Sequence, residues 1–393
     1  MFQFKGTLAA SKSWVNRALI LQHFNSGLHW TGISSAEDVQ VLKKALHQFP
    51  MQKTYHLGQG GTSFRFFCFL ASRYPGEWFI QGDARLLERP QLEIKFLLEQ
   101  LGVQVDFKSD GVRILSRGWQ PVAELSCEGQ KSSQFISGLL LSACQLDFDF
   151  KLVVQKPIVS KDYLLMTLHF LQQTGITVGV EETSGSLVIR IPKNQKPQST
   201  SLHAELDISS AFSLIAAGLI DGEVTIENWI ADSVQPDKLF LDIFRQMRID
   251  YEITDKTFFI QKQSNWLGCD VNLDSAPDLF PVLAVLCALS EGPSFLRGAS
   301  QLKFKESDRL QKTDELLSLA GFETEILDDA YLIHGKTLAN PVRMPFQFDP
   351  DHDHRMAMAA GLLKLADYPI QIFTPEVVKK SYPHFWSDIG LQP

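Results

Sequence analysis

SSAFSLIAAGLIDGEVTIEN, residues 209–228, combines two kinds of predicted structure in one short stretch. Two serines open an apolar run that ends at Gly222, and a strand-like segment follows. Because the apolar run has almost no polar face, it predicts a helix that is buried on all sides. The first N–H groups of such a helix, and the positive end of its dipole, are directed at whatever lies beyond the serines.

The same arrangement recurs through the chain. Comparable helices start at six positions: Ser11, Gly60, Ser132, Ser209, Ala276 and Asp353. A strand-like run follows each of them, and an amphipathic helix such as DRLQKTDELLSLAG follows the first five runs. This internal repeat predicts an α/β (α+β) protein with two similar domains of three repeats each and with buried central helices.

Composition narrows the class of protein. The chain has 393 residues, 45% of them hydrophobic and 21% charged, which predicts a soluble globular protein of more than one domain. Its net charge of −8 argues against a nucleic-acid-binding protein. Five scattered cysteines are typical of a reducing compartment, and no run of 18 apolar residues predicts a membrane span. We therefore expect a cytoplasmic protein without membrane or nucleic-acid partners.

Cations gather where the buried helices begin. They are Lys12, Arg17, Arg65, Arg85, Arg89, Lys305, Arg309, Arg355, Lys379 and Lys380. Each alone is most simply a solvated surface charge, but their recurrence at corresponding places favours an anion-binding cleft. Asp278 and Glu306 also lie at helix starts. Because carboxylates repel an anionic ligand, their presence there suggests proton transfer.

The stretch FDPDHDHRMAM, residues 348–358, allows a second interpretation, a metal site. Alternating residues of an extended chain point to opposite sides, so Asp349, Asp351 and Asp353 cannot easily converge with the histidines. We expect Asp353 to cap a helix instead, and we expect no metal. The positive end of the helix dipole is unfavourable to a cation such as Arg355 in the first turn, unless an anion shares the site.

Nine motifs resemble, in order, those of the 5-enolpyruvylshikimate-3-phosphate synthases. They are SKSWVNRA, GQGGTSFR, GDARLLERP, KSSQF, SKDY, SAPDLFP, KESDRL, DHRMAM and KKSYP, and they span Ser11 to Pro383. The resemblance implies two domains of three βαβαββ-type repeats with the active site in the cleft between them. It further implies a discontinuous domain of residues 1–10 plus 204–393, an inserted domain of residues 11–203, and a hinge near residues 10 and 203.

The resemblance also implies roles for particular residues. Those for shikimate 3-phosphate are Lys12, Ser13, Arg17, Ser132, Ser133, Gln134, Ser160, Tyr163, Asp278 and Lys305. Those for phosphoenolpyruvate are Lys12, Gly61, Arg85, Gln134, Arg309, Arg355 and Lys380. The catalytic set is Asp278, Glu306, Lys12 and His354, with Asp278 as the base on the 5-hydroxyl and Glu306 as the acid that protonates the methylene carbon.

The implied reaction moves the carboxyvinyl group of phosphoenolpyruvate to the 5-hydroxyl of shikimate 3-phosphate and releases phosphate. It proceeds by addition and elimination through a tetrahedral intermediate, in chorismate and aromatic amino acid biosynthesis, without cofactor or metal, and we expect a monomer. Two alternatives stay open: the sister transferase acting on UDP-N-acetylglucosamine, and a catalytically silent phosphometabolite-binding relative. The chain departs from the family pattern at several positions, which are Ala9, Ala10, Gln59, Phe66, Leu206 and Gln301.

Overall fold

The chain forms two compact units. The structure, a computed structural model, describes residues 1–335 and 344–392. The discontinuous unit combines Met1–Ala10 with the chain from Glu205 onward, and the inserted unit is Ser11–Ala204. No helix in the described part of the chain is long and apolar enough to cross a membrane.

The inserted unit follows β1, which belongs to the other unit. Its elements, with β1 given first, are β1 Phe2–Gly6, α1 Lys12–Phe24, β2 His29–Thr31, α2 Glu37–Gln48, β3 Thr54–His56, α3 Gly61–Ser72, β4 Gly76–Gln81, α4 Ala84–Glu88, α5 Leu92–Gln100, β5 Gln104–Lys108, β6 Gly111–Ser116, β7 Leu125–Glu128, α6 Ser133–Ser142, β8 Phe150–Gln155, α7 Lys161–Gln173, β9 Gly179–Glu182, β10 Ser186–Ile191 and β11 Ser201–His203.

The discontinuous unit then continues in the same style. Its elements are α8 Ile208–Asp221, β12 Gly222–Ile226, α9 Phe240–Met247, β13 Glu252–Ile253, β14 Phe258–Gln261, β15 Asp270–Asn272, α10 Phe280–Ala288, β16 Pro293–Arg297, α11 Arg309–Leu319, β17 Glu323–Ile326, β18 Ala330–His334, β19 Phe346–Phe348, α12 His354–Leu365, β20 Ile370–Ile372 and α13 Phe385–Asp388. Four 3-10 turns cover Pro236–Leu239, Pro277–Leu279, Ala299–Phe304 and Pro375–Lys380.

The sheets repeat one topology. Four of them have four strands: β3-β4-β6-β5 and β7-β8-β10-β9 in the inserted unit, and β1-β12-β14-β13 and β15-β16-β18-β17 in the discontinuous unit. In each, the first two strands are parallel and the other pairs are antiparallel, which is the βαβαββ order. One repeat of each unit, the one that starts at Ser11 and the one that starts at Asp353, has only a two-stranded parallel sheet among the described residues, β11-β2 or β19-β20.

The predicted central helices are buried. α8 and α10 have every or almost every residue buried, and α12 is buried from His354 to Leu363. α1, α3 and α6 are buried along most of their length in the inserted unit. Helices that lie completely within apolar surroundings leave only their first turns available for chemistry, so the fold itself directs attention to their N-termini.

Candidate active site

Side chains of the helix-starting motifs cap several central helices. Ser11 accepts a hydrogen bond from the Trp14 amide, and Ser132 accepts one from the Gln134 amide. Asp207 caps α8 in the same way, and Asp353 caps α12 through the Arg355 amide at 2.9 Å. Each cap satisfies one orphan N–H group and fixes where the helix begins. The expectation that Asp353 is a capping residue is confirmed.

Arg17 is anchored deep in the inserted unit. Its side chain is 3% exposed and donates to Thr167 Oγ1 at 2.8 Å, to the Ser13 carbonyl at 2.7 Å and to the Tyr163 carbonyl at 2.9 Å. Burial lowers the pKa of Arg17 to about 10, so the guanidinium still carries its charge at neutral pH. These bonds tie α1 to α7 and bring the predicted residues Ser13, Arg17 and Tyr163 together.

Lys12 belongs to a second contact of α1, with α2. Its Nζ lies 2.9 Å from Asp38 Oδ2, and both side chains are largely buried. Ser63 Oγ of α3 donates to the Asp38 carbonyl at 2.9 Å. Asp38 therefore positions the Lys12 ammonium next to the start of α3. No sequence pattern points to Asp38, because its partner lies 26 residues away.

Gly61 at the start of α3 faces two polar side chains. A Cβ atom there would lie 3.1 Å from both Arg89 Nη1 and Gln134 Oε1. The buried Arg65 donates to Gln134 Oε1 at 2.7 Å and to Gln91 Oε1 at 3.1 Å. The absence of a Cβ atom at Gly61 thus lets the Arg89 guanidinium and the Gln134 amide pack against the start of α3.

Arg85 occupies a different environment from Arg89. It pairs with Glu88 at 3.0 Å, and its side chain is 45% exposed. α4 ends at Glu88, and Arg89 takes an extended conformation. That change of direction separates two arginines that lie only four residues apart. Arg89, which was not among the residues predicted for phosphoenolpyruvate, is therefore the guanidinium that borders Gly61, and the assignment of Arg85 to that substrate stays a prediction.

The remaining predicted residues of the inserted unit begin α6 and α7. Ser132 is the N-cap of α6, and the buried Ser133 and then Gln134 follow in its first turn. Ser160 is the buried N-cap residue of α7 and has a left-handed backbone (φ 52°). Tyr163 lies in the first turn of that helix. Two helix N-termini are thus present among the predicted substrate-binding residues of this unit.

In the discontinuous unit, Arg309 joins three carboxylates. Its Nε and Nη2 atoms contact Asp353 at 2.8 and 3.3 Å, Nη1 contacts Asp278 at 2.7 Å, and Nη2 also contacts Glu306 at 3.0 Å. Arg309 is 1% exposed and Asp353 is fully buried. Ser307 Oγ adds a bond of 3.1 Å to Asp353. Asp353, absent from the predicted site residues, thereby fixes the guanidinium plane.

Two further cations complete what we call the Arg309 cluster (Asp278, Glu306, Arg309, Asp353, Arg355 and Lys380). Arg355 Nη2 lies 3.6 Å from Asp278, and its guanidinium donates to the carbonyl and the hydroxyl of Ser209. Lys380 Nζ lies 3.5 Å from Glu306. All members of the cluster except Asp353 were predicted as site residues. Two more predicted residues lie directly beside it: Lys305 acts electrostatically on Asp278, and His354 Nδ1 lies 3.8 Å from Asp353.

The charges of the cluster set the state of its carboxyls. Burial alone would raise the pKa of Asp278, but the charges of Arg309, Arg355 and Lys305 outweigh it and hold that pKa well below its usual range. Asp278 is therefore an ionised acceptor at neutral pH. It is also 30% exposed as a side chain, whereas Asp353 has no exposure. Of the two, only Asp278 can be reached by a hydroxyl from solvent, and Asp353 has a structural role in holding Arg309 and capping α12.

The stretch around residue 353 does not form a metal centre in the part of the chain that the structure describes. No group of three His, Cys, Asp or Glu side chains is arranged there, or elsewhere among those residues, to hold a metal ion. Asp353 is used by Arg309, Ser307 and the cap of α12, while Asp349 accepts from the Asp351 amide.

Comparison with known proteins identifies the family. The profile of the EPSP synthase (3-phosphoshikimate 1-carboxyvinyltransferase) family matches residues 6–389. The chain belongs to the EPSP synthase family. A 3-phosphoshikimate 1-carboxyvinyltransferase of Pyrococcus furiosus is 33% identical over 332 residues, covering 84% of this chain and 78% of that one. One of Clostridium kluyveri is 28% identical over 400 residues, covering 96% and 92%.

Solved structures show the same fold. EPSP synthase from Acinetobacter baumannii superposes with a TM-score of 0.74 at 22% identity, covering 99% of this chain and 95% of that one. The enolpyruvyl transferase NikO from Streptomyces tendae reaches 0.73 at 14% identity, covering 99% and 95%. The fold is thus shared by transferases with different names, so the choice of acceptor must depend on particular side chains.

The departures from the EPSP synthase pattern have local structural roles. Phe66 lies in the second turn of α3, is fully buried and packs against Gly138 of α6. Ala10 and Leu206 form an antiparallel bridge, and the Asp207 amide donates to the Ala9 carbonyl at 3.0 Å. Gln301 donates to the Asp274 carbonyl at 2.9 Å. None of these substitutions removes a charged group of the Arg309 cluster.

Proposed function

We propose that this chain is an enolpyruvyl transferase that moves the carboxyvinyl group of phosphoenolpyruvate to the 5-hydroxyl of shikimate 3-phosphate, with release of phosphate. The family assignment supports the reaction, and one observation carries the chemistry. Two partly accessible carboxylates, Asp278 and Glu306, share the guanidinium of Arg309 with a buried third, Asp353. Proton-transfer groups and anion-binding groups are thereby combined within one cluster.

In the proposed mechanism Asp278 accepts the proton of the 5-hydroxyl as the oxygen attacks C2 of phosphoenolpyruvate. Glu306 donates a proton to C3, which gives the tetrahedral intermediate. A proton of the C3 methyl group then returns to Glu306 as the C–O bond to phosphate breaks and the double bond re-forms, and the departing phosphate takes the proton held by Asp278. Asp278 is ionised and can accept a proton, since neighbouring cations hold its pKa low. A bound anion would partly neutralise those cations and so raise the pKa of Asp278, which makes it a stronger base. His354 and Lys12 complete the proposed catalytic set.

Substrate anions are proposed to bind the cations of both units. Shikimate 3-phosphate is assigned to Lys12, Ser13, Arg17, Ser132, Ser133, Gln134, Ser160, Tyr163, Asp278 and Lys305. Phosphoenolpyruvate is assigned to Lys12, Gly61, Gln134, Arg309, Arg355 and Lys380, with Arg89 in place of Arg85. In the Arg309 cluster, a phosphate or carboxylate would compete with Asp278 and Glu306 for guanidinium N–H groups. Arg309 would stay oriented because Asp353 holds its Nε.

We propose that the two crossings near residues 10 and 203 act as a hinge. The chain passes between the units at Ala10–Ser11 and at Ala204–Glu205, and two backbone pairs of the discontinuous unit, Ala10 with Leu206 and Ala9 with Asp207, lie next to both crossings. If the segments flex when substrates bind, hydrogen exchange of the Asp207 amide should slow with saturating shikimate 3-phosphate, and the scattering radius should fall. Unchanged exchange and radius with ligand bound would reject the hinge.

The acceptor is tested directly, because the enolpyruvyl transferase NikO has the same fold and the fold alone does not define the acceptor. Phosphate release from phosphoenolpyruvate should be measured with shikimate 3-phosphate and, separately, with UDP-N-acetylglucosamine. We expect release with the first acceptor alone. Release with the second would assign the sister activity, and release with neither would indicate a binding protein without catalysis. We further propose a cytoplasmic monomer, which sedimentation at several protein concentrations tests.

A further inference from the structure

A cavity of about 320 Å³ lies within the inserted unit, on the side of α1 away from Ser13 and Arg17. Val15, Leu19 and Gln22 of α1 line it, and these residues occupy one stripe of the helix. Ser13 and Arg17 lie roughly on the opposite face, since each residue turns the helix by about 100°. The cavity is therefore separate from the residues assigned to shikimate 3-phosphate, although it shares a helix with them.

The lining is apolar at the floor and has one fixed charge at the rim. Val15, Leu19 and Val39 form the floor and are at most 5% exposed. Trp30 supplies an aromatic wall, and Lys43 lies on the exposed face of α2. No carboxylate is among the lining residues, and Lys43 forms no ion pair with any residue that the structure describes. In a chain of net charge −8, such a lining favours an anion.

The cavity is held open by its own hydrogen bonds. Gln40 Nε2 donates to the Ser34 carbonyl at 2.8 Å, and Gln22 Nε2 donates to the Leu28 carbonyl at 2.8 Å. Between these two points, Ile33 is held at the rim with 83% of its surface in water. The two hydrogen bonds fix the backbone around the cavity, so the space is preformed, as small-molecule sites usually are.

We propose that this cavity binds a small monocarboxylate with one aromatic ring, whose ring lies between Trp30 and the aliphatic floor and whose carboxylate faces Lys43. The volume lies at the lower end of the range for small-molecule sites, which suits one ring. A single ammonium without an acidic neighbour in the lining selects a monoanion over a cation or a neutral ring.

Occupancy would act on the catalytic face through two contacts. Val39 of the floor follows Asp38, whose carboxylate holds Lys12 Nζ at 2.9 Å. Trp30 packs edge-on against Trp14, the residue after Ser13, with ring centroids 6.1 Å apart. A ligand that changes the spacing of α1 and α2 would therefore move Lys12 and alter the affinity for shikimate 3-phosphate. This consequence, unlike the binding itself, rests on the proposed function.

The test uses 4-fluorobenzoate as probe, observed by fluorine NMR in titrations of the whole chain. We expect a dissociation constant on the order of 1 mM for a ligand of this size, about three- to fivefold weaker binding of 4-fluorobenzamide, and at least tenfold weaker binding of acetate, which lacks the ring. Lys43→Gln should weaken 4-fluorobenzoate about three- to fivefold, whereas the exposed neighbour Lys44→Gln should leave it unchanged. Ile33→Glu should abolish binding, and Ile33→Gln, which adds no charge, should retain most of it.

Several results would overturn the site. The first is no binding of 4-fluorobenzoate at roughly 10 mM, tenfold above the expected dissociation constant. The second is that 4-fluorobenzamide binds as tightly as 4-fluorobenzoate, and the third is that Lys43→Gln and Lys44→Gln weaken binding equally. The fourth is that shikimate 3-phosphate and phosphoenolpyruvate displace the probe in direct competition. Because Lys43, Lys44 and Ile33 are exposed, these variants should fold, which the unfolding transition checks. If adding 4-fluorobenzoate changes the KM for shikimate 3-phosphate in wild type but not in Ile33→Glu, the result supports the coupling. Probe binding without any change in KM would refute the coupling and leave the site standing.

Discussion

Replacing Asp353 by asparagine tests how the Arg309 cluster is stabilised. Asp353 is fully buried and receives two bonds from Arg309, of 2.8 and 3.3 Å, and one from Ser307. Removing the charge of one partner of a buried ion pair commonly costs about 3–5 kcal/mol. Asparagine can still cap α12 and Arg309 keeps Asp278 and Glu306, so the lower end, about 3 kcal/mol, is expected. For a domain of this size that lowers the melting temperature by roughly 6–12 °C.

Asp308→Asn is the matched control for that change. Asp308 caps α11 by accepting from the Gln311 amide at 3.2 Å, and it forms no ion pair with any described residue. Because asparagine caps as well as aspartate, we expect a change within about 0.5 kcal/mol. Denaturant unfolding and hydrogen exchange of α12 measure both variants. If Asp353→Asn is as mild as Asp308→Asn, the cluster is not held together by the Arg309–Asp353 pair.

Two further predictions concern catalysis, and a third concerns the pH dependence of stability. Asp278→Asn and Glu306→Gln should each lose about 10²–10⁴-fold in turnover while still binding shikimate 3-phosphate, and near-normal turnover of either variant would remove its assigned role. Arg89→Ala should raise the KM for phosphoenolpyruvate about tenfold or more, because a charge-assisted bond is lost, while Arg85→Ala should change it less than about twofold; the reverse pattern would restore Arg85 to the site. The pKa of Asp278 is lowered in the folded state, so its ionised form stabilises the protein. The difference in unfolding free energy between wild type and Asp278→Asn should therefore be constant above about pH 5 and shrink as pH falls below about 4. A difference that grows on acidification would contradict the sign of the shift.

The central helices and their caps were predictable because the information is local. An apolar run without a polar face, started by Ser, Gly or Asp, can be stable only when buried and capped, and α8 and α12 are built in that way. The repeat of these runs also predicted the α/β class, whereas the βαβαββ order of the four-stranded sheets was implied only by the resemblance to the family. The two-stranded sheet found in one repeat of each unit was not foreseen, because the strand-like runs HWT and IQI have the same pattern as their counterparts in the four-stranded sheets.

The partners within the site could not be predicted from the sequence. Arg309 meets Asp353 across 44 residues, and Lys12 meets Asp38 across 26, so nothing in the local pattern distinguishes these carboxylates from solvated ones. The choice between Arg85 and Arg89 depends on α4 ending at Glu88, a boundary that the sequence does not mark clearly. Side chains that act through others, as Asp353 does, are found only once the packing is known.

The most direct test of the proposed reaction follows the carbon that changes partners. Phosphoenolpyruvate labelled with carbon-13 at C2 should be incubated with shikimate 3-phosphate and the protein, and the products followed by NMR together with released phosphate. The proposal predicts one phosphate released for each carboxyvinyl ether formed at the 5-oxygen. Phosphate released without that ether, or unchanged phosphoenolpyruvate in the presence of both substrates, would contradict it.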